Sequence, residues 1–466
     1  MMSANCLAST LYNYSKYCLK PNLLSAGKSH LILTLNFSTT MYRKGKFDFP
    51  KRFTGQEKSV WVEYIELAIK YKPLNLGQGF PDYPCPEHVT KALADVATGP
   101  DSLLHQYTRG FGHPRLVNAL ATLYSKVLNR SIDPMKEILV TSGAYEALYS
   151  TIQGHIDRGD EAIIIEPFFD CYEPMVKGAE GVCRYIALKP SPDKCSDAQS
   201  SADWVLDKKE LESLFNEKTK LIILNTPHNP TGKVFTLEEL EFIAELCKKW
   251  NVLCISDEVY EWMVFKPHKH IRIATLPDMW DRTITIGSAG KTFSATGWKL
   301  GWAYGPSDLL ENLRVVHQNC VYTCSTPLQE ALARGFETEL ARFDSDECFF
   351  KSLAVELEGK RDFVCKFLED AGMKPVKPDG GYFIVADWSA LGSKINLDSE
   401  TDPQRDYRFT KWMTKNVGLQ GIPPTAFYSK EHKHLGEDYV RYCFIKKDEN
   451  LKKAAEILQN WTKTLK

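Results

Sequence analysis

The segment Ser288-Ala-Gly-Lys-Thr-Phe-Ser-Ala-Thr-Gly-Trp-Lys299 is the most informative in the sequence, because it contains two lysines among small and hydroxyl residues. It follows the β-branched stretch Thr283-Ile-Thr-Ile286, which predicts a short strand. Lys291 is therefore expected just past the carboxyl end of a strand, where α/β sheets bind their ligands. Burial and a second cation, for which Lys299 is suitably spaced, would lower the pKa of its amine and make it nucleophilic. A loop with two solvated lysines would show the same pattern.

The overall composition argues against a nucleic-acid or membrane-surface protein. Among 466 residues, 58 Lys and Arg nearly balance 59 Asp and Glu, so no global field attracts anionic polymers or lipids. Small neutral or zwitterionic ligands are favoured instead. The 13 cysteines contain no CxxC spacing, which is typical of reduced intracellular thiols rather than of disulfides or a metal site. No apolar stretch is long enough to span a membrane.

The first forty residues differ from the rest of the chain. No acidic residue precedes Asp48, whereas lysines, serines, threonines and leucines are frequent. This bias predicts a mitochondrial targeting segment over residues 1–40. No arginine occurs before Arg43, and an inert extension would have a similar composition. A second start at Met41 would give a cytoplasmic form.

From about residue 90 to 335, apolar strand-like runs alternate with helix-length segments such as Thr236–Trp250. Continuous apolar runs are typical of strands buried on both faces, so the alternation predicts an α/β fold with a mostly parallel sheet covered by helices. The predicted strands are Glu137–Val140, Ala162–Ile165, Leu221–Leu224, Val252–Ser256, Thr283–Ile286 and Gly301–Tyr304.

The two ends of the chain predict a smaller α+β companion domain. An amphipathic helix is expected at Val60–Ile69, a long polar helix at Leu353–Ala371, and strand-turn units around Gly380–Val385 and Tyr439–Ile445. The segment Ser191–Asp203 predicts a surface loop. The predicted domains are an N-terminal arm with part of the small domain (41–88), a large domain (89–338) and the C-terminal part of the small domain (339–466).

Three predicted strands end in polar segments. Thr141-Ser-Gly-Ala-Tyr-Glu-Ala-Leu148 starts a helix with small residues, which would bind phosphate or simply be a capped helix. Asp257, with Tyr260 three residues later, could hold a pyridinium N–H or cap the next helix. Asn229 lies in a turn stiffened by two prolines, which would aim it at a ligand or only shape the turn. With Lys291, these elements in this order describe a pyridoxal phosphate (PLP) pocket.

Seven motifs then carry a resemblance over the chain from about residue 47 to the C-terminus. They are Asn75–Asp82, Gln106–Thr108, Glu166–Pro174, Leu224–Pro230, Ser256–Trp262, Gly287–Trp302 and Arg441–Phe444. In these motifs the chain resembles fold-type I aminotransferases, and in particular the kynurenine aminotransferase group, also called glutamine transaminase K or cysteine-S-conjugate β-lyase.

The resemblance implies a role for each cofactor-ring contact. Lys291 would be the Schiff-base lysine and proton shuttle, and Asp257 would keep the ring nitrogen protonated. Tyr260 and Asn229 would hydrogen-bond the phenolate oxygen of the ring, and Phe169 would stack on the ring. The phosphate would be bound by Gly143, Ala144, Ser288 and Lys299, and by Tyr107 from the second subunit of a homodimer.

On the substrate side, the resemblance implies that Arg441 clamps the carboxylate of an amino acid or a 2-oxo acid, a bidentate geometry that lysine cannot match. Gly79, Trp61 and Asn229 would line the same side. The expected activity is transamination of kynurenine, glutamine, methionine or aromatic amino acids, with kynurenic acid formed from kynurenine and with β-elimination of cysteine conjugates as a side reaction. A catalytically silent protein of the same fold is the alternative.

The chain departs from the family pattern at three places. His228 stands where some members have asparagine, Glu146 replaces a small residue, and Tyr322-Thr323 occupies a pocket position where one subgroup has Phe-His. These departures leave the expected chemistry intact but leave the preferred amino acid open.

Overall fold

The structure, a computed structural model, describes residues 47–55, 59–191 and 200–465. The predicted targeting segment 1–40, the start at Met41 and most of the predicted loop Ser191–Asp203 lie outside the described residues. Within these described ranges, no helix has the length and apolar character needed to cross a membrane.

The strands confirm the predicted alternation, and six of them lie within two residues of their predicted ends. The strands are β1 (Leu74–Asn75), β2 (Ile138–Thr141), β3 (Glu161–Glu166), β4 (Val182–Ala187), β5 (Lys189–Pro190), β6 (Trp204–Val205), β7 (Thr219–Asn225), β8 (Leu253–Asp257), β9 (Thr283–Ser288), β10 (Gly301–Tyr304), β11 (Lys374–Val376), β12 (Phe383–Asp387), β13 (Leu419–Gln420) and β14 (Tyr439–Cys443).

The helices begin and end at local capping signals. Before the helix Leu237–Trp250, Thr236 forms a capping box with Glu239, and Asn251 ends the helix in a left-handed conformation. The α-helices are α1 (Val60–Tyr71), α2 (Glu87–Thr98), α3 (Pro114–Leu128), α4 (Gly143–His155), α5 (Tyr172–Gly178), α6 (Lys208–Leu214), α7 (Leu237–Trp250), α8 (Ala289–Thr292), α9 (Ser307–Cys320), α10 (Thr326–Ala341), α11 (Phe349–Asp370), α12 (Arg405–Trp412) and α13 (Asp448–Lys463).

The central sheet has seven strands in the order β2-β10-β9-β8-β7-β3-β4. β10 runs antiparallel to β2 and β9, and the other pairs are parallel, so the sheet is mostly parallel as predicted. Asn225 pairs with Asp257, and Gly301 pairs with both Ser288 and Thr141. The polar ends of β2, β7, β8 and β9 therefore lie along one edge of the sheet.

A second, antiparallel sheet of order β11-β12-β14 carries Arg441, which pairs with Val385. One hydrophobic cluster joins the two sheets, since it contains Ile255 and Ile286 of the central sheet together with Ile384 of β12. The described residues from Pro50 onward belong to one compact unit. The division of this unit into a large and a small domain at residues 88 and 338 stays a prediction.

Candidate active site

A single cavity at this edge of the central sheet collects twelve of the thirteen predicted site residues. It has a volume of about 1000 Å³ when its open mouth is included. Tyr107 is the exception, because its side chain is 84 % exposed and lies against Tyr322, with 6.0 Å between ring centroids. The twelve are Trp61, Gly79, Gly143, Ala144, Phe169, Asn229, Asp257, Tyr260, Ser288, Lys291, Lys299 and Arg441.

Lys291 lies in the short helix α8 directly after β9, as the sequence predicts. Its Nζ donates a hydrogen bond of 2.5 Å to the hydroxyl of Tyr382. Burial lowers the pKa of this amine to about 8, and the charges of Arg441 and Lys299 act in the same direction. The unprotonated fraction near neutral pH is therefore much larger than for an ordinary lysine, although the ammonium form still predominates, and the unprotonated form is the one that acts as nucleophile or base.

Asp257 is the last residue of β8 and faces the cavity from its floor. Its Oδ2 accepts a hydrogen bond of 2.6 Å from the hydroxyl of Tyr172, and the structure shows no ion pair to it among the described residues. Burial raises the pKa of this carboxyl to about 6. The carboxylate is thus available to a cationic ligand group, such as a protonated ring nitrogen.

Arg441 is buried, with 1 % of its surface exposed, yet no carboxylate pairs with it in the described part of the chain. Its Nη1 donates to Oδ1 of Asn229 at 3.2 Å and its Nη2 to the carbonyl of Gly77 at 3.0 Å. The Nε is buried and has no hydrogen-bond partner among the described residues. Burial lowers the pKa of the guanidinium to about 10. A buried cation without a counter-ion beside an open cavity is suited to bind an anionic ligand group.

Aromatic rings surround this guanidinium. Its central carbon lies 4.1 Å from the ring centroid of Phe383, 4.8 Å from that of Phe427 and 5.2 Å from Trp61. The indole of Trp61 is fixed in turn by a hydrogen bond of 2.7 Å to Oδ2 of Asp170. These rings exclude water from Arg441 and provide an apolar wall for a substrate side chain.

At the other end of the cavity, helix α4 starts at Gly143, whose φ of +75° favours glycine. The side chain of the preceding Ser142 does not cap the helix. The Nζ of Lys299 is only 3.6 Å from where a Cβ of Gly143 would lie. Gly301 leaves space for this turn, because a Cβ there would approach the amide nitrogen of Ala144 to 2.4 Å. A helix N-terminus beside an ammonium group favours a phosphate.

The departure at Glu146 stabilises this same turn. Glu146 is buried, and its two carboxylate oxygens accept from the amide of Ser142 at 2.5 Å and bind Nδ1 of His317 at 2.8 Å. Nε2 of His317 faces the carbonyl of Gly110 at 2.9 Å. Although burial opposes the charged imidazole, the hydrogen bond and charge of Glu146 raise its pKa. Both ring nitrogens face acceptors, so the imidazolium form satisfies both.

The other departures lie away from the reacting groups. His228 is buried inside its turn, 2.9 Å from the hydroxyl of Thr231, and burial lowers its pKa to about 3. Tyr322 is exposed beside Tyr107. Neither side chain lines the cavity.

Several side chains of the site were given no role from the sequence, among them Tyr382, Phe383 and Tyr172. Tyr382 and Phe383 belong to a segment interpreted only as a strand-turn unit, although Tyr382 contacts Lys291 and Phe383 lines the cavity. Tyr172 lies inside the recognised motif Glu166–Pro174, but its contact with Asp257 was not anticipated. The two aromatic residues that directly follow Gly380-Gly381 are the feature of the sequence that could have indicated a contribution to the site.

The residues present fit PLP. The cavity offers an amine of lowered pKa, a buried carboxylate, the flat ring of Phe169 and an anion-binding turn. The family model for aminotransferase class I and II matches residues 71–458. The chain belongs to the class I and II aminotransferases. Enzymes of this class and fold depend on PLP.

Relatives of this aminotransferase confirm the predicted group. The chain is 54 % identical to kynurenine–oxoglutarate transaminase 3 of Homo sapiens over 428 residues, which cover 92 % of this chain and 93 % of that protein. It is 46 % identical to kynurenine–oxoglutarate transaminase 1 of Homo sapiens over 412 residues, covering 88 % and 97 %.

Solved structures confirm the predicted fold-type I architecture of the aminotransferase. Bna3p of Saccharomyces cerevisiae superposes with a TM-score of 0.83 at 34 % identity, covering 90 % of this chain and 100 % of that one. A single mutant of the aspartate aminotransferase of Thermus thermophilus gives a TM-score of 0.75 at 26 % identity, covering 89 % of this chain and 99 % of that one.

Proposed function

We propose that this aminotransferase binds PLP and converts L-kynurenine to kynurenic acid by way of its 2-oxo acid, with a second 2-oxo acid as amino acceptor. The observation that carries the proposal is Arg441, a buried cation without a carboxylate partner that lines the same cavity as Lys291. An amino acid and a 2-oxo acid share a carboxylate, so one clamp serves both. The names of the relatives support kynurenine as the donor.

The residues of the chain divide the reaction between them. PLP, when bound, supplies an electron-withdrawing ring that makes the Cα–H bond of the amino acid acidic. Arg441 binds the α-carboxylate through paired N–H groups and orients the substrate. Lys291 removes the Cα proton and holds it at Nζ. Asp257 would hold the ring nitrogen of PLP by accepting a hydrogen bond from it, and its negative charge would stabilise the protonated ring.

The proposed side reactions follow from the same proton removal. Glutamine and aromatic amino acids have no good leaving group at Cβ and give 2-oxo acids. In a cysteine conjugate, loss of the Cα proton to Lys291 is followed by cleavage of the Cβ–S bond, and the electron pair leaves with the thiolate. Hydrolysis of the remaining three-carbon fragment gives pyruvate and ammonia.

The direct test of this function is product formation by the purified protein supplied with PLP. We expect kynurenic acid from L-kynurenine and 2-oxoglutarate, and pyruvate from a cysteine conjugate. Arg441→Lys should weaken both reactions in parallel, because they share the carboxylate clamp. Absence of product from kynurenine, glutamine, methionine and phenylalanine would instead support the catalytically silent alternative.

We also propose a homodimer in which Tyr107 completes the phosphate site of the second copy. Its phenol lies outside the cavity of its own chain, beside the exposed side chain of Tyr322. A mixture of Tyr107→Ala and Lys291→Ala subunits tests this proposal. Hybrid dimers would contain one complete site and regain activity, whereas independent sites would leave the mixture no better than its parents.

For localisation, we propose that residues 1–40 direct the full-length chain to mitochondria and that a chain starting at Met41 stays in the cytoplasm. The absence of acidic residues before Asp48 supports this. Fluorescent fusions of both forms would show it, and the same cytoplasmic distribution for both would make the segment an inert extension.

A further inference from the structure

Behind Lys291 lies a phenol to which the proposed function assigns no role. Tyr382 precedes β12 and is fully buried. The backbone holds it in place, because the amide of Gly381 donates to the carbonyl of Met263 at 2.7 Å. A Cβ at Gly380 would approach that same carbonyl oxygen to 2.7 Å, so the close approach requires glycine. The Gly380-Gly381 turn, packed against the carbonyl of Met263, therefore fixes the backbone that carries Tyr382.

The donor and the acceptor in the two hydrogen bonds of the Tyr382 hydroxyl can be assigned from its partners. Its hydroxyl lies 2.5 Å from Nζ of Lys291 and 2.8 Å from the carbonyl oxygen of Gly79. A carbonyl can only accept, so the single phenolic hydrogen is donated to Gly79. The phenol oxygen must then accept an N–H of Lys291. Two consecutive hydrogen bonds thus run from Lys291 to Tyr382 and from Tyr382 to Gly79. Because a neutral amine uses an N–H in the first of these bonds, its lone pair is free to face the cavity.

Tyr382 holds the amine without exchanging protons with it. Burial raises the pKa of this phenol well above its ordinary value, so the phenolate form is inaccessible. The amine lies between two rings, 5.1 Å from the centroid of Tyr382 and 5.6 Å from that of Tyr260. Its rotamers are therefore limited by packing as well as by the hydrogen bond.

We infer that Tyr382 is a positioning residue for Lys291, one that holds the free amine in the orientation from which it takes the Cα proton. This inference rests on the proposed function for its catalytic meaning, but the contact itself is a property of the protein without cofactor. The link to Gly79 also connects the position of the amine to the loop on the substrate side.

The first test measures the amine in cofactor-free protein. Reductive methylation of Lys291, followed by peptide mass spectrometry across a range of pH, reports the midpoint at which the amine loses its proton. In Tyr382→Phe we expect this midpoint to fall by about one pH unit, since the buried ammonium loses a hydrogen-bond acceptor. The substitution leaves the other titratable groups near the amine in place, although Tyr260 loses its interaction with the hydroxyl of Tyr382. These groups are Asp257, Tyr260, Lys299, Arg441 and Cys443.

Tyr442→Phe is the matched control. Tyr442 is also a buried tyrosine, and its hydroxyl has no hydrogen-bond partner among the described residues. Its loss should leave the methylation midpoint where it is in the unchanged protein. Equal midpoints for Tyr382→Phe and the unchanged protein would overturn the inference.

The second test uses the protein loaded with PLP. For Tyr382→Phe we expect kcat to fall about tenfold with little change in KM, and the isotope effect on Cα deuterium to increase, because a poorly oriented amine slows proton removal. If the unchanged protein transaminates and Tyr382→Phe has the same kcat, the positioning role of Tyr382 is overturned while the proposed function stands. If the unchanged protein transaminates no amino acid but the methylation midpoint still shifts, the proposed function fails while the positioning contact stands.

Discussion

Asp257 and Glu258 are neighbours in sequence, yet only the carboxylate of Glu258 has ion-pair partners among the described residues. Asp257 faces the cavity without an ion-pair partner among the described residues, and burial raises its pKa to about 6. Glu258 accepts from the hydroxyl of Ser256 at 2.8 Å and pairs with Nε2 of His270 at 2.7 Å and Nε of Arg272 at 3.7 Å. One carboxylate is left for a ligand, and the other is used by the protein.

Arg441 and Arg272 show the same contrast between an unpaired and a paired charge. Burial lowers the pKa of Arg441, which has no carboxylate partner in the described structure. Arg272 is also largely shielded from solvent, with 10 % of its side chain exposed, but the carboxylates of Glu261 and Glu258 outweigh the effect of burial and raise its pKa. The ligand atoms of Glu258, Glu261 and His270 lie within 4.8 Å of one another, as in a metal site, but the Arg272 guanidinium already supplies the cation. Charges in the cavity are thus uncompensated, whereas those of the buried ion cluster Glu258, Glu261, His270 and Arg272 are paired.

The largest expected effect is that of Lys291→Ala, which should lower kynurenine turnover by about 10⁴-fold or more while the chain still folds, because no other group replaces the nucleophile and base. Lys360→Ala is the control, since this buried lysine is paired with Glu356 at 2.9 Å and Asp448 at 3.1 Å. It should reduce stability but keep turnover per folded enzyme. Equal losses of turnover in both variants would remove the distinction between the two kinds of lysine.

The two arginines provide the next comparison, read out by denaturant unfolding of cofactor-free protein. Arg272→Met should lower the free energy of unfolding by about 3–5 kcal/mol, because it leaves buried carboxylates unpaired. Arg441→Met leaves no carboxylate unpaired and should cost little stability, although substrate binding is lost. A comparable stability loss in both variants would show that Arg441 is a structural cation.

A smaller effect is expected for Asp257→Asn, which should reduce kcat roughly a hundredfold, because a neutral amide cannot stabilise a protonated ring nitrogen. Glu258→Gln should leave kcat nearly unchanged and lower the thermal midpoint instead. Steady-state kinetics and thermal unfolding of both variants separate the two roles. A loss of kcat below tenfold in Asp257→Asn would contradict its assignment.

Local sequence was sufficient for the strands whose apolar runs are continuous, since burial on both faces has a simple signature. Strand β4 was not predicted, because it lies at the edge of the sheet, where the exposed residues Val182 and Arg184 interrupt the run of buried apolar residues. Site residues at strand ends were predictable because parallel strands bring their carboxyl ends together.

Contacts between distant segments could not be predicted in this way. Lys291 and Tyr382 are 91 residues apart, and Tyr172 and Asp257 are 85 apart, so no local pattern relates them. The same limit applies to the buried pair of Glu146 and His317. Their partners are determined by the packing of two sheets and their helices, which a single sequence does not display.

We expect PLP to attach covalently to Lys291 and to no other lysine of the protein. Borohydride reduction of the loaded protein, followed by peptide mass spectrometry, tests this most directly. The expected result is a pyridoxyl group on Lys291 and on no other residue. Attachment to Lys299, whose Nζ lies at the proposed phosphate site, or the absence of any attachment would contradict it.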